Sequence, residues 1–152
     1  MLREAFAERL KDAMRARDTR AVSAVRLILA ALKDRDVAAR GAGHAEGIGE
    51  AEIQRMLQGM VKQRRESIAL YRQGNRPELA RREEEEITVI ESFLPQQMGE
   101  EEIAAAARAA IAETGAAGIK DMGKVMAALR ERYAGTLDMA KAGAVVKQLL
   151  GS

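Results

Sequence analysis

The chain has 152 residues with no Cys, no Trp, a single His, and two each of Phe, Tyr and Pro. These counts exclude disulfides, thiolate catalysis, iron–sulfur clusters and Cys-type zinc sites, and leave little for a His-centred triad or metal shell. Net charge is only +2, from 25 basic and 23 acidic residues, and 47% of the chain is hydrophobic while 3% is aromatic, so Ala, Leu, Ile, Val and Met must build the core. That diet favours helices over strands.

The expectation is a cytoplasmic, soluble, all-α protein. No apolar run approaches the ~18 residues of a transmembrane span, so no membrane partner is expected. Met1-Leu2-Arg3-Glu4 enters a charged amphipathic pattern directly, unlike a signal peptide. In the first helix, Leu2, Phe6, Leu10 and Met14 recur every four residues. Asp18 is placed to cap a second helix with Val22, Val25, Leu29 and Leu32 on one stripe. Residues 41–49 hold four glycines and His44 and read as a flexible loop. This loop has neither the Gly-Lys-Ser/Thr of a phosphate loop nor a strand before it, and His44 reads as an exposed loop residue.

A third helix is expected from Glu50 to Gln73. Gly74-Asn75 stops it, and Pro77 suits the first turn of a fourth. Pro95 disfavours helical geometry at Leu94 and ends that fourth helix near Phe93. The expected division is a multi-helical N-terminal domain of about four helices over residues 1–95 and a small three-helix bundle over 96–152. In the second domain, Glu100-Glu101-Glu102 opens an Ala-rich helix that closes near Gly115. Met122, Val125, Met126 and Leu129 mark the next helix. Asp138 caps the last, where Gly143 suggests close helix packing.

Charge is unevenly spread. Between Arg55 and Arg82, eight Lys and Arg face only Glu66 and Glu78; between Glu83 and Glu102 there are eight acids and no base. At about 100° per residue, Ile53, Leu57, Met60, Ile68 and Tyr71 share one side of the third helix, and Arg64 sits in the middle of it. On the fourth helix Glu83 and Glu86 fall within the stripe of Leu79, Ile87, Ile90 and Leu94, while Glu84 and Glu85 point away. A charge on an apolar face needs a partner. An antiparallel hairpin about Gly74-Asn75 brings Arg64 opposite Glu86, with Glu83 one turn away and Arg26 at the edge of the second helix's stripe. These four residues are expected to form a structural ion cluster. A two-carboxylate acid/base site is the competing reading, but no His or further acid completes a metal shell there.

Arg55, Lys62, Arg65 and Arg72 lie on a separate outward arc, and Arg76 extends it past the turn. Such an arc can be a solvated face, or it can track phosphates without reading sequence. Tyr71 is on the apolar side, so base stacking is not expected, and recognition of a folded RNA by shape and backbone fits better.

Three segments carry a resemblance to a known family: Val61-Lys62-Gln63-Arg64-Arg65-Glu66-Ser67-Ile68 followed by Tyr71, Arg76 and Leu79-Ala80; Glu83, Glu86-Ile87 and Phe93-Leu94-Pro95; and Lys120-Asp121-Met122-Gly123-Lys124-Val125-Met126. The stretches Ala13-Met14 and Val25-Arg26-Leu27 match the family's opening. On these motifs the chain resembles the GatB/YqeY family, free-standing proteins similar to the helical tail domain of the GatB component of the glutamine-dependent Asp/Glu-tRNA amidotransferase. Asn75 and Pro77 depart from the family's usual turn before Leu79-Ala80. The resemblance implies an all-α fold in two parts. It also implies association with carbon–nitrogen ligases that use glutamine as amide donor, whose chemistry lies in other domains. It adds Lys120 and Lys124 to the candidate RNA-binding residues Arg55, Lys62, Arg65, Arg72 and Arg76. No catalytic residue, metal or cofactor is expected, because no nucleophile, base and orienter form a set. The expected partner is tRNA or another structured RNA. The alternative is an adaptor that meets amidotransferase or other translation proteins.

Overall fold

The computed structural model describes residues 1–151, and among these every regular element is helical. The chain forms two compact units, Met1–Leu94 and the residues from Pro95 onward.

In the first unit, α1 (Leu2–Ala16) buries Phe6 and Ala13, with Leu2 and Leu10 against the same core. Met14 does not join them and is 53% exposed. The reason is helical drift. A repeat of four advances about 40° beyond a full turn each time, so the fourth member has rotated off the core and Ala13 takes its place. Arg17 closes α1 in the left-handed region (φ 55°), and its N–H bonds to the Met14 carbonyl at 3.2 Å. The Asp18 carboxylate then accepts the Ala21 N–H at 3.1 Å and starts α2 (Thr19–Gly41). This is the side-chain cap that short polar residues provide.

Residues 41–49 are pinned rather than flexible at their far end. Ile48 is buried in the core. Its N–H donates to Asp36 Oδ1 at 2.9 Å, and its carbonyl accepts from Arg3 Nη2 at 2.9 Å. Arg3 also grips Asp36 with both terminal guanidinium nitrogens, Nη1 and Nη2, at 2.7 and 2.8 Å. Gly47, at φ 82°, passes so close that a Cβ there would lie 2.2 Å from Asp36 Oδ1.

The helices α3 (Glu50–Gln73) and α4 (Pro77–Glu91) are joined by a turn in which Asn75 takes φ 57°. They pack along their lengths, and α4 also packs on α2. Phe93 lies just beyond α4 and meets Phe6 edge to face, with ring centroids 4.8 Å apart.

The second unit contains α5 (Glu100–Thr114), a short 3-10 turn (Ile119–Asp121), α6 (Met122–Arg132) and α7 (Met139–Gly151). Its core is small: Ile103, Val125, Leu129, Leu137 and Val146 fill in around the alanines of α5 and Ala142. Asp138 caps α7 by accepting the Ala140 and Lys141 N–H groups at 3.0 and 3.2 Å. Gly143 is not forced by close backbone packing, because a Cβ there would meet the Met122 and Met126 methyls at 3.8 Å, an ordinary contact.

Candidate nucleic-acid interface

The candidate residues centre on the α3–α4 pair. Its interior holds the charges that the apolar faces could not bury alone. Arg64 Nε donates to Glu86 Oε2 at 2.9 Å and lies 3.8 Å from Glu83 Oε2. An Arg64 Nη1 hydrogen bond of 3.3 Å to the Met60 carbonyl satisfies a further donor. The Arg64 and Glu86 side chains are 11% and 10% exposed. Little water reaches them, so each relies on the other. Burial, and then the adjacent Glu86 carboxylate, push the Glu83 carboxyl above the usual carboxylate range.

Arg26 stays outside this cluster. It is exposed on the far side of α2 and forms no ion pair among the described residues. Arg20 is the residue that α2 extends toward α4, where it bonds Glu85 at 2.9 Å. The separation is angular. Residues 20 and 26 lie about 120° apart around a helix, and the face of α2 that packs on α4 is nearer the former.

The outward arc carries both paired and unpaired cations. Arg72 bonds Glu84. Arg65 lies 3.5 Å from Glu91, and Arg76 lies 2.8 Å from Glu78. Arg76 holds the Glu78 carboxyl below its ordinary value. Arg55 and Lys62 are exposed and form no ion pair among the described residues. The four consecutive glutamates therefore serve three arginines. Glu83 and Glu86 go to Arg64, Glu84 to Arg72 and Glu85 to Arg20.

In the second unit, Lys120 lies in the 3-10 turn and Lys124 in α6, both exposed. They stand on either side of Asp121. The Ala117 N–H, and then Lys124 and Lys120, hold the Asp121 carboxyl below its ordinary value.

Hydroxyls are turned to local structure: Thr88 Oγ1 donates to the Glu84 carbonyl, and Ser92 Oγ to that of Val89. His44 is exposed in the loop. Among the described residues, no three His, Asp or Glu side chains are grouped to hold a metal ion.

The Arg3–Asp36–Ile48 cluster and the Arg20–Glu85 pair escaped the sequence reading. A signal for the first was present. Asp36 continues the four-residue spacing of Ile28 and Leu32, a charge on an apolar stripe like Arg64. The second had no such signal, because both members are on partly wet faces.

Over 87 residues the chain is 31% identical to "Altered inheritance of mitochondria protein 41, mitochondrial" of Lachancea thermotolerans. That match covers 57% of this chain and 44% of that protein, so it spans less than half the length of the curated relative. The family pattern described as Yqey-like protein matches residues 3–150. With nearly its whole length inside that pattern, the chain belongs to the YqeY-like family.

Proposed function

We propose that this YqeY-like protein is a non-catalytic module that binds tRNA or another structured RNA, related to the glutamine-dependent tRNA amidotransferases and working in the cytoplasm. The observation that carries the reading is the outward face of α3, where Arg55 and Lys62 are exposed without an acidic partner. Arg65, Arg72 and Arg76 extend that face. Their carboxylate partners are themselves well exposed. Exposed ion pairs are worth only about 0–1 kcal/mol, so a phosphate can displace them. Lys120 and Lys124 supply two more exposed cations.

The test is tRNA binding over a range of salt. Each phosphate contact removed lowers the slope of log affinity against log salt by about 0.9. Arg55→Glu combined with Lys62→Glu is expected to remove about two such units. Binding that is undetectable at low salt, or a slope that the pair of substitutions leaves unchanged, refutes the proposal.

The second reading is a protein adaptor for the translation or amidotransferase machinery. The pairing of Arg65, Arg72 and Arg76 with acids of the same chain favours it. A partner retained on the protein after nuclease treatment supports the adaptor, and one lost with the RNA supports the first reading. The relative named above is mitochondrial by its name, so cell fractionation tests the cytoplasmic placement.

A further inference from the structure

We infer that the groove where α1 ends and α2 begins is a docking site for an acidic amphipathic helix of a partner protein. Met14, Val22 and Leu27 line it with apolar surface and Arg17 and Arg26 with positive charge, beside the hydroxyls of Thr19 and Ser23. It stands on different residues from the RNA reading and does not depend on it.

The groove has a volume of about 750 Å³, enough to take several side chains. Met14 and Leu27 are 53% and 45% exposed. Scattered exposed apolar residues need no explanation, but a cluster around one concavity does. Two of its lining residues, Arg17 and Arg26, are cations. Arg17 and Arg26 form no ion pair among the described residues. The nearby acids are engaged elsewhere: Asp18 caps Ala21, and Asp12 faces Arg15 at 3.9 Å.

Arg17 carries a second indication. It occupies the left-handed region at φ 55°, the helix-ending position where glycine fits without strain. An arginine there accepts a conformational penalty while its guanidinium pairs with no carboxylate of the described chain.

These features select the occupant by complementarity. The apolar lining of Met14, Val22 and Leu27 suits an apolar face, and the two lining arginines suit acids beside it. Phosphates would use the arginines and leave the apolar lining wet. No strand edge exists among the described residues, so strand addition is unavailable, whereas an amphipathic helix laid in the groove carries an apolar face and flanking acids on one rigid element.

The experiment pans a display library of helical peptides against the intact protein. Aliphatic residues are fixed at helical spacing, and the flanking positions are randomised. The enriched peptides are expected to carry Asp and Glu at the flanks. They should bind the Arg17→Glu/Arg26→Glu variant roughly tenfold more weakly. Arg17→Gly is expected to weaken peptide binding while raising Tm, a split that a purely structural arginine would not produce. Basic or neutral flanks among the enriched peptides overturn the inference, as does the absence of enrichment or equal affinity for the charge-reversed variant. It is also overturned if the groove substitutions abolish tRNA binding and leave peptide binding intact. Self-association abolished by Leu27→Glu overturns it too, because the occupant is then a second copy of this chain.

Discussion

Two carboxylates one helical turn apart can have opposite effects on stability. Glu86 makes the short bond to Arg64, whereas Glu83 stands farther away with its carboxyl pushed up by burial and by Glu86. A carboxyl whose folded pKa is raised holds its proton more tightly than the unfolded chain does. Its contribution to stability therefore falls as pH rises through that raised value. At neutral pH, Glu86→Gln is expected to cost about 1–3 kcal/mol, while Glu83→Gln leaves stability unchanged or raises it. Urea denaturation of the two variants checks the contrast.

Asp36 has the reverse sign. The Arg3 guanidinium, with help from the Ile48 N–H, holds its carboxyl down at about 2, against an ordinary 3.8. Its stabilisation is present above the ordinary value and lost as pH falls toward 2, and it amounts to at most about 2 kcal/mol. Asp36→Asn should lower stability at neutral pH and flatten the acid limb of the stability curve below pH 4. Gly47→Ala should be worse tolerated than most surface changes and cost more than about 1 kcal/mol. Its Cβ would collide with Asp36, and its φ is left-handed.

Among the elements, α4 ties the first unit together. Its apolar stripe enters the core, while the run Glu83–Glu86 reaches arginines on α2 and α3. If Arg64 and Glu86 act as a pair, removing the second after the first costs less than removing it alone. The combined loss for Arg64→Met with Glu86→Leu should then fall short of the sum of the single losses. In α7, Gly143→Ala is expected to raise stability by about 1 kcal/mol. The added methyl meets only the Met122 and Met126 methyls at ordinary distance. Thermal unfolding of the intact chain reads this directly.

For the whole molecule, the near-neutral total charge conceals competition for the same cations. Arg72 and Arg65 are engaged by Glu84 and Glu91 of the same chain. If α3 binds phosphates, those acids are competitors, and Glu84→Gln with Glu91→Gln should tighten tRNA binding several-fold at low salt. If the protein is an adaptor, these substitutions leave RNA binding at the weak level of any basic surface. Filter binding at two salt concentrations separates the cases.

Helical periodicity, the Asp18 and Asp138 caps, and the stop at Gly74-Asn75 all depend on neighbours within a few residues, so they were legible in the sequence. The opposition of Arg64 and Glu86 was legible too, because a three-residue turn sets the register of the hairpin it joins. What lay beyond was the azimuth of each helix in its bundle and the course of the loop. Those decided that Arg20 rather than Arg26 meets α4, that Met14 turns outward, and that Ile48 and Gly47 close over Asp36. Each of these depends on how several helices share one core, a choice made by packing all the faces together and not by any one of them.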